Sequence, residues 1–170
     1  LLTSTCCTGE MIKSALDLGV SKIIMGLCGS ITNDAGAGMA QALGAKFLYV
    51  AGRDVTVGGG QLDQIQTIDI SKLDLRLKQV EIVIASDVNN PLCGAQGASF
   101  VFGAQKGATP DMVKQLDLNL SHFADLVEQQ CGLKLRDVAG AGAAGAIASA
   151  PAGNWGLPFA AAVRNDFPRS

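Results

Sequence analysis

Apolar residues recur at three-to-four spacing between Thr8 and Leu18, at Met11, Ile12, Ala15 and Leu16, with Glu10 in the first turn and Gly19 beyond. That pattern predicts an amphipathic helix closed by glycine. Lys22 to Leu27 is a short apolar run of strand type that passes at once into the loop CGSITNDAGAG. Ala35 to Leu43 then reads as a helix stopped by Gly44, Ala45 to Val50 as a second strand, and Ala51 to Asp54 as a turn. A β-α-β rhythm is therefore legible in the first fifty positions.

Further along, Gly58-Gly59-Gly60 marks a hinge or tight turn, and Ile65 to Ile70 alternates apolar and polar residues like a half-buried strand. Val80 to Ala85 is the strongest strand signal, β-branched and flanked by polar residues. It runs into Ser86-Asp87-Val88-Asn89-Asn90-Pro91, and a glycine-punctuated stretch follows from Cys93 to Lys106 around Ser99 to Phe102. The clearest helix begins after Thr109, with Pro110 at its first position and Asp111 complementing its dipole. Met112, Leu116, Leu120, Phe123 and Val127 form its predicted apolar face, through about Gln130, and Gly132 ends it. Ala139 to Gly145 reads as a small-residue loop. The class is α/β.

Composition narrows the options. Of 170 residues, 48% are hydrophobic, 16% charged and 5% aromatic, with 21 glycines, so the core must be aliphatic and closely approached. The net charge is −2 and no Lys/Arg cluster exists, which argues against nucleic acid and anionic membranes as partners. Residues 138–163 are uncharged, yet Pro151, Asn154 and Pro158 interrupt a weakly apolar stretch that is unsuited to spanning a bilayer. Five cysteines (Cys6, Cys7, Cys28, Cys93 and Cys131) show no metal-ligand spacing, and the one histidine cannot complete a zinc site. They read as buried small hydrophobes in a reducing compartment, and the N-terminal residues show no secretory signal, so a soluble, cytoplasmic chain is expected.

Three segments could carry chemistry. Gly26 to Gly38 leads a strand through glycines into a helix N-terminus, a recipe for holding an anion on backbone N–H groups. Ser30 and Thr32 could add hydroxyls, while Asn33 and Asp34 could cap the helix or position a metal or a substrate hydroxyl. The plainer alternative is a glycine-rich turn with an ordinary polar cap. Asp87 and Asn90 follow the strong strand, where open α/β sheets gather ligands; the alternative there is an Asx-type turn before Pro91. Lys106, among small residues before the long helix, could bring positive charge to a phosphate or be a solvated turn lysine. His122 reads as a surface or rim residue.

Together these segments resemble the bacterial kinases that phosphorylate D-glycerate. The resemblance rests on Thr3-Ser-Thr followed by Thr8-Gly-Glu, KIIMGLCGSITNDAGAGMAQALGAKF, Gly58-Gly-Gly60, IDISKLDLRL and ASDVNNPLCGAQGASFVFGAQKGATPDMV, with the loop 140–145. It runs in order from about Leu1 to Gly145. It implies ATP-dependent phosphorylation of D-glycerate to 2-phosphoglycerate in glycerate catabolism, with Mg²⁺ on the nucleotide phosphates. It also implies a glycerate kinase-like mixed sheet with flanking helices, in a family of two domains with the site in the cleft between them. By position, Gly29, Ser30, Thr32, Asn33 and Asp34 would line a substrate or phosphate pocket, with Asn90 a further polar site residue. Asp87, then Asp34, would be the catalytic carboxylates, and Gln105 and Lys106 would lie near the phosphates; no residue is assigned to a metal.

Departures from the family pattern shape further expectations. Cys6-Cys7 replaces Tyr-Gly, Cys28 and Ala35 replace glycines, Ile31 replaces a small residue and Ala104 a proline. A lost glycine costs most where φ must be positive, so a distorted cradle is expected, particularly at Ile31. Residues 1–145 read as an incomplete central region truncated at both ends, and 146–170 as a divergent tail, disordered or frame-shifted. On that basis an inactive remnant is the alternative to an active kinase, and self-association through exposed truncated surface is expected.

Overall fold

A computed structural model describes residues 2–27, 30–50, 52–55, 58–86, 88–138 and 140–143. The expectations for Cys28, Gly29, Asp87 and the tail 146–170 lie outside the described residues. In chain order the elements are α1 (Cys6–Asp17), β1 (Lys22–Gly26), α2 (Ala37–Ala42), β2 (Lys46–Leu48), β3 (Thr67–Asp69), β4 (Glu81–Ala85), α3 (Ala98–Phe102) and α4 (Pro110–Cys131). Tight 3₁₀ turns intervene at Gly59–Gln64, Leu75–Gln79, Ala104–Lys106 and Leu135–Asp137.

The strands form two separate pairs. β1 and β4 run parallel, with Lys22 opposite Glu81 and Gly26 opposite Ala85. Ile82, Val83 and Ile84 are all buried, which is why β4 reads as a continuous β-branched run rather than an alternation. β1 is covered less well, and Ile24 is 61% exposed. β2 and β3 are antiparallel, with Phe47 opposite Ile68, and Asp54 adds a bridge to Leu48. The Gln130 side chain serves β3 as a substitute backbone, accepting from Ile68 N at 2.8 Å and donating to Gln66 O at 2.8 Å.

α4 roofs the antiparallel pair. Thr109 caps it, accepting from Met112 N at 3.3 Å, and it ends at Gly132. Its buried stripe is Val113, Leu116, Asn119, Leu120, Phe123, Ala124, Leu126 and Val127, and the Phe123 ring meets Phe47 at 5.7 Å. Met112, expected on that face, is 38% exposed, because Val113 holds the position in phase with Leu116 and Leu120. His122 sits at the helix rim with Nε2 3.0 Å from Ile65 O. The cysteines correct another expectation: Cys7 is exposed and Cys6, Cys93 and Cys131 are only partly covered. Cys6 and Cys7 open α1 at its first turn, whereas Cys93 and Cys131 pack against the edge of the core.

α1 and α2 pack closely, fastened by a carboxylate. A side chain at Gly9 would meet Met39 O at 2.5 Å and Ala42 Cβ at 2.6 Å, so only glycine permits this approach. Asp34, with no exposed surface, accepts from Thr5 N at 2.8 Å and Thr5 Oγ1 at 2.9 Å, at the start of α1. It also accepts from Gly36 N at 3.2 Å and Gly38 N at 3.3 Å, at the start of α2. Thr5 Oγ1 in turn accepts from Met39 N at 2.9 Å.

Between the carboxylate and α2 the chain turns through two left-handed residues, Ala35 at φ 55° and Gly36 at φ 72°. Ala35 is the one non-glycine residue at positive φ among the described residues. The strain expected at Ile31 is therefore found at Ala35 instead; Ile31 has an ordinary φ and its side chain is 67% exposed.

Three substitutions test this packing by urea denaturation. Ala35→Gly should stabilise by about 1 kcal/mol, since it relieves the left-handed strain. Gly9→Ala, favourable by about 1 kcal/mol on helix propensity alone, should instead destabilise because Met39 O and Ala42 block the methyl. Asp34→Asn should cost about 2–4 kcal/mol, since an NH₂ group would face donors now served by a carboxylate.

Candidate functional site

The segment 30–34, between β1 and the turn into α2, is organised by its own hydroxyls. Thr32 N donates to Ser30 Oγ at 3.1 Å, and the two hydroxyl oxygens lie 2.7 Å apart. Such a local hydroxyl turn replaces ladder bonds the backbone does not make here. The Thr32 carbonyl accepts from Lys106 Nζ at 2.7 Å, a contact that spans 74 residues of sequence. Lys106 is placed for this by the 3₁₀ turn Ala104–Lys106, between α3 and α4.

Asn33 forms the next wall. Its Nδ2 donates to Ser99 Oγ at 2.9 Å, and Ser99 is fully buried in α3. Asn33 Oδ1 is buried too, and it meets no donor among the described residues. A cavity of about 60 Å³ lies here, lined by Asn33, Lys106, Gly107, Ile31, Met112 and Leu116. On the other side of segment 30–34 a broader groove of about 630 Å³ runs between α1 and β1, with Ser4, Thr8, Met11, Ile24, Ser30 and Thr32 on its walls.

The electrostatics of the two buried charges are linked. Burial pushes the Lys106 ammonium down to about 8, opposed by the negative charge of Asp34. Burial also pushes the Asp34 carboxyl above the usual carboxylate range, opposed by the hydrogen bonds from Thr5, Gly38 and Gly36. The site thus places a partly buried amine and the Asn33 side chain on the walls of one small cavity, with Asn33 Oδ1 buried behind it.

Of the residues predicted from sequence, Asn33 and Lys106 share this cavity, and Ser30 and Thr32 stand on the groove side of the same segment. Asp34 lines neither space and spends its oxygens on Thr5, Gly36 and Gly38. Asn90 braces the loop after β4 by donating from Nδ2 to Gln96 O at 2.9 Å, and Gln105 is exposed on the turn beside Lys106. Sequence reasoning missed Thr5, Ser99 and Asn119. Asn119 left a readable signal, a polar residue within the buried stripe of α4; its Nδ2 donates to Gly59 O at 2.9 Å. Ser99 left none, because a serine in a glycine-rich stretch looks like loop.

Among the described residues, no three His, Cys, Asp or Glu side chains converge as a metal site, and no helix is long and apolar enough to cross a membrane.

Comparison with known proteins agrees with the architecture. The family model described as "Glycerate kinase family" matches residues 1–163. A glycerate kinase of Haemophilus influenzae is 58% identical over 147 residues, which is 86% of this chain and 39% of that protein. A glycerate kinase of Bacillus subtilis is 53% identical over 147 residues, 86% of this chain and 38% of its own length. A glycerate 2-kinase of Escherichia coli is 50% identical over 150 residues, 88% of this chain and 39% of its own. The crystal structure of a protein assigned as glycerate kinase 2 from Salmonella typhimurium LT2 superposes with a TM-score of 0.89 at 49% identity, covering 92% of this chain and 42% of that one. The chain spans about two fifths of the length of the relatives it matches. With matching fold, matching motifs and a family model running almost end to end, the chain belongs to the glycerate kinase family.

Proposed function

We propose that the protein takes part in ATP-dependent phosphorylation of D-glycerate to 2-phosphoglycerate. The observation that carries this reading is the meeting of Asn33 and Lys106 on one small cavity beside segment 30–34, in a chain of the glycerate kinase family. When bound, ATP supplies the phosphoryl group and Mg²⁺ screens its charge, arriving on the phosphates themselves. Phosphoryl transfer asks a protein chiefly for positioning and for neutralisation of charge.

The chain's residues divide that work. Lys106 offers positive charge from a turn braced against the Thr32 carbonyl. Ser30 and Thr32, with Gly29 by family position, offer a polar wall; Asn90 and Gln105 keep supporting places nearby in sequence. Asp87 accepts the proton from the glycerate hydroxyl as its oxygen bonds to phosphorus and the bond to ADP breaks. Asp34 acts as a positioning residue, since its carboxylate is committed to the backbone that shapes the segment.

The test is release of ADP from ATP and Mg²⁺ by the purified chain, with and without D-glycerate. The active reading expects glycerate-dependent ADP, lost at least about a hundredfold in Asp87→Asn with an unchanged melting curve. Glycerate binding with no ADP would overturn the phosphotransferase reading for this chain, and ADP formation indifferent to Asp87→Asn would remove that residue from its role.

Lys106 adds a pH prediction. Its amine holds its proton below about pH 8, so KM for D-glycerate should be lowest there and climb as the pH rises past that value. Lys106→Arg, which stays charged, should keep KM flat to at least about pH 9. Stability should run the other way. The unfolded lysine keeps its proton up to its ordinary value of 10.5, so the unfolded chain binds more protons between about 8 and 10.5. Over that window the contribution of this one group should make the fold more stable as pH rises, measured against Lys106→Met.

A further inference from the structure

α4 carries a carboxamide within its apolar stripe. Asn119 has no exposed surface and shares the buried face with Leu116, Leu120 and Phe123. A carboxamide in such a place costs free energy unless both of its ends are bonded. Here both are. Nδ2 donates to Gly59 O at 2.9 Å, and Oδ1 accepts from Gln115 Nε2 at 2.7 Å, one helical turn back. The exposed Gln115 thereby fixes which way the amide points, because Oδ1 turned toward Gly59 O would set two acceptors against each other.

Gly59 is the other half of the contact. It lines the small cavity that Lys106 shares, as does Leu116, whereas Asn119 does not line it. A methyl on Gly59 would collide with Asn33 O, and Leu116 Cδ2 would lie 3.1 Å from it. The turn at Gly59 is therefore clamped from three sides, by the Asn33 backbone, the Leu116 side chain and the Asn119 amide. Of the three, the amide holds it by a directional bond.

We infer that Asn119 is a positioning residue of this site: oriented by Gln115, it holds the turn at Gly59 against Asn33 and so keeps the cavity beside Lys106 narrow. Its use in turnover rests on the phosphotransferase reading; the shape of the wall does not. The wall matters because of what surrounds the Lys106 amine. Asp34, on segment 30–34, is the charge that acts on it, and the other residues lining the cavity are uncharged. On α4, Asp111 and Lys114 face each other at the surface, 3.9 Å apart, and Asp63 on the turn after Gly59 is exposed. Burial therefore outweighs charge in setting how firmly Lys106 holds its proton. If the turn drifts from Asn33, water reaches the ammonium, which then keeps its proton to higher pH.

Competitive acetylation of the full chain with acetic anhydride, in the absence of substrate and nucleotide, tests this. The pH midpoint of labelling at Lys106, mapped by peptide mass spectrometry, reports proton affinity whatever the access of the reagent. It should lie at about 8 in the unaltered chain. Asn119→Leu and Gly59→Ala should each raise it by about one pH unit, a tenfold change in the acid constant. Gln115→Ala, a change at an exposed position, should raise it by a smaller amount. Leu120→Ala truncates a buried α4 residue that does not line the cavity; it should lower the melting temperature and leave the midpoint at about 8. The inference is overturned if a folded Asn119→Leu or Gly59→Ala chain keeps the unaltered midpoint, if Leu120→Ala raises it as far, or if the unaltered midpoint is the ordinary 10.5. Where Asn119→Leu does not fold, Gln115→Ala decides in its place, and an unmoved midpoint there overturns the inference too. Failure of the phosphotransferase reading is separable: these changes in midpoint would stand while no glycerate-dependent ADP formed.

Discussion

The buried carboxylate of Asp34 is the fastening on which the N-terminal half depends. Two helix starts leave backbone N–H groups without partners, and here one ionisable side chain answers both of them at once. Thr5 completes the arrangement by passing its own hydroxyl between Asp34 and Met39 N. The close approach of α1 to α2 at Gly9 then needs no side chain to separate them. Segment 30–34 is held at one end by this knot and at the other by β1, so its hydroxyls, its carbonyl and Asn33 are presented in fixed directions.

The positive charge of Lys106 comes from far along the chain. Its turn is carried by α3 and α4, and α4 is anchored through Phe123 on Phe47 and through Asn119 on Gly59. Arg136 ties the chain after α4 back onto that helix, through Asp125 Oδ1 at 2.6 Å and Ser121 O at 2.9 Å. The cavity between Asn33 and Lys106 is therefore the seam between the α1–α2 unit and the α4 unit, and its dimensions follow from the packing of both.

Much of this was legible from sequence, for identifiable reasons. The cap at Thr109, the proline at 110 and the apolar stripe placed α4 almost to the residue, because helix signals are local. β4 was legible because a run buried on both faces is β-branched throughout. β2 and β3 shrank to three residues each, since adjoining Gln66 O accepts from the Gln130 side chain and Tyr49 N donates to Arg53 O in a turn, and propensity does not register that. The site divided in the same way. Serine, threonine and lysine in glycine-rich loops pointed to segments that the fold brings together, but the inward hydrogen bonds of Asp34 could not be read, because a helix-capping carboxylate and a catalytic one look alike in one dimension. Ala35 was visible as a missing glycine, though only the backbone shows that its position is left-handed.

The parallel pairing of β1 with β4 has a consequence for how the chain assembles. Lys22 and Glu81 are paired across 59 residues, whereas Thr5 and Asp34 are 29 apart. Closing those loops costs roughly 3–4 and roughly 3 kcal/mol of chain entropy respectively, before any contact repays it. The two loops also overlap in sequence, so the shorter closure draws in residues that the longer one then uses. The α1–α2 knot closes the shorter loop, and β1 has no strand partner among the described residues until the strand at 81–85 pairs with it. Loop-closure entropy alone therefore favours the α1–α2 knot over the β1–β4 pairing, by less than about 1 kcal/mol.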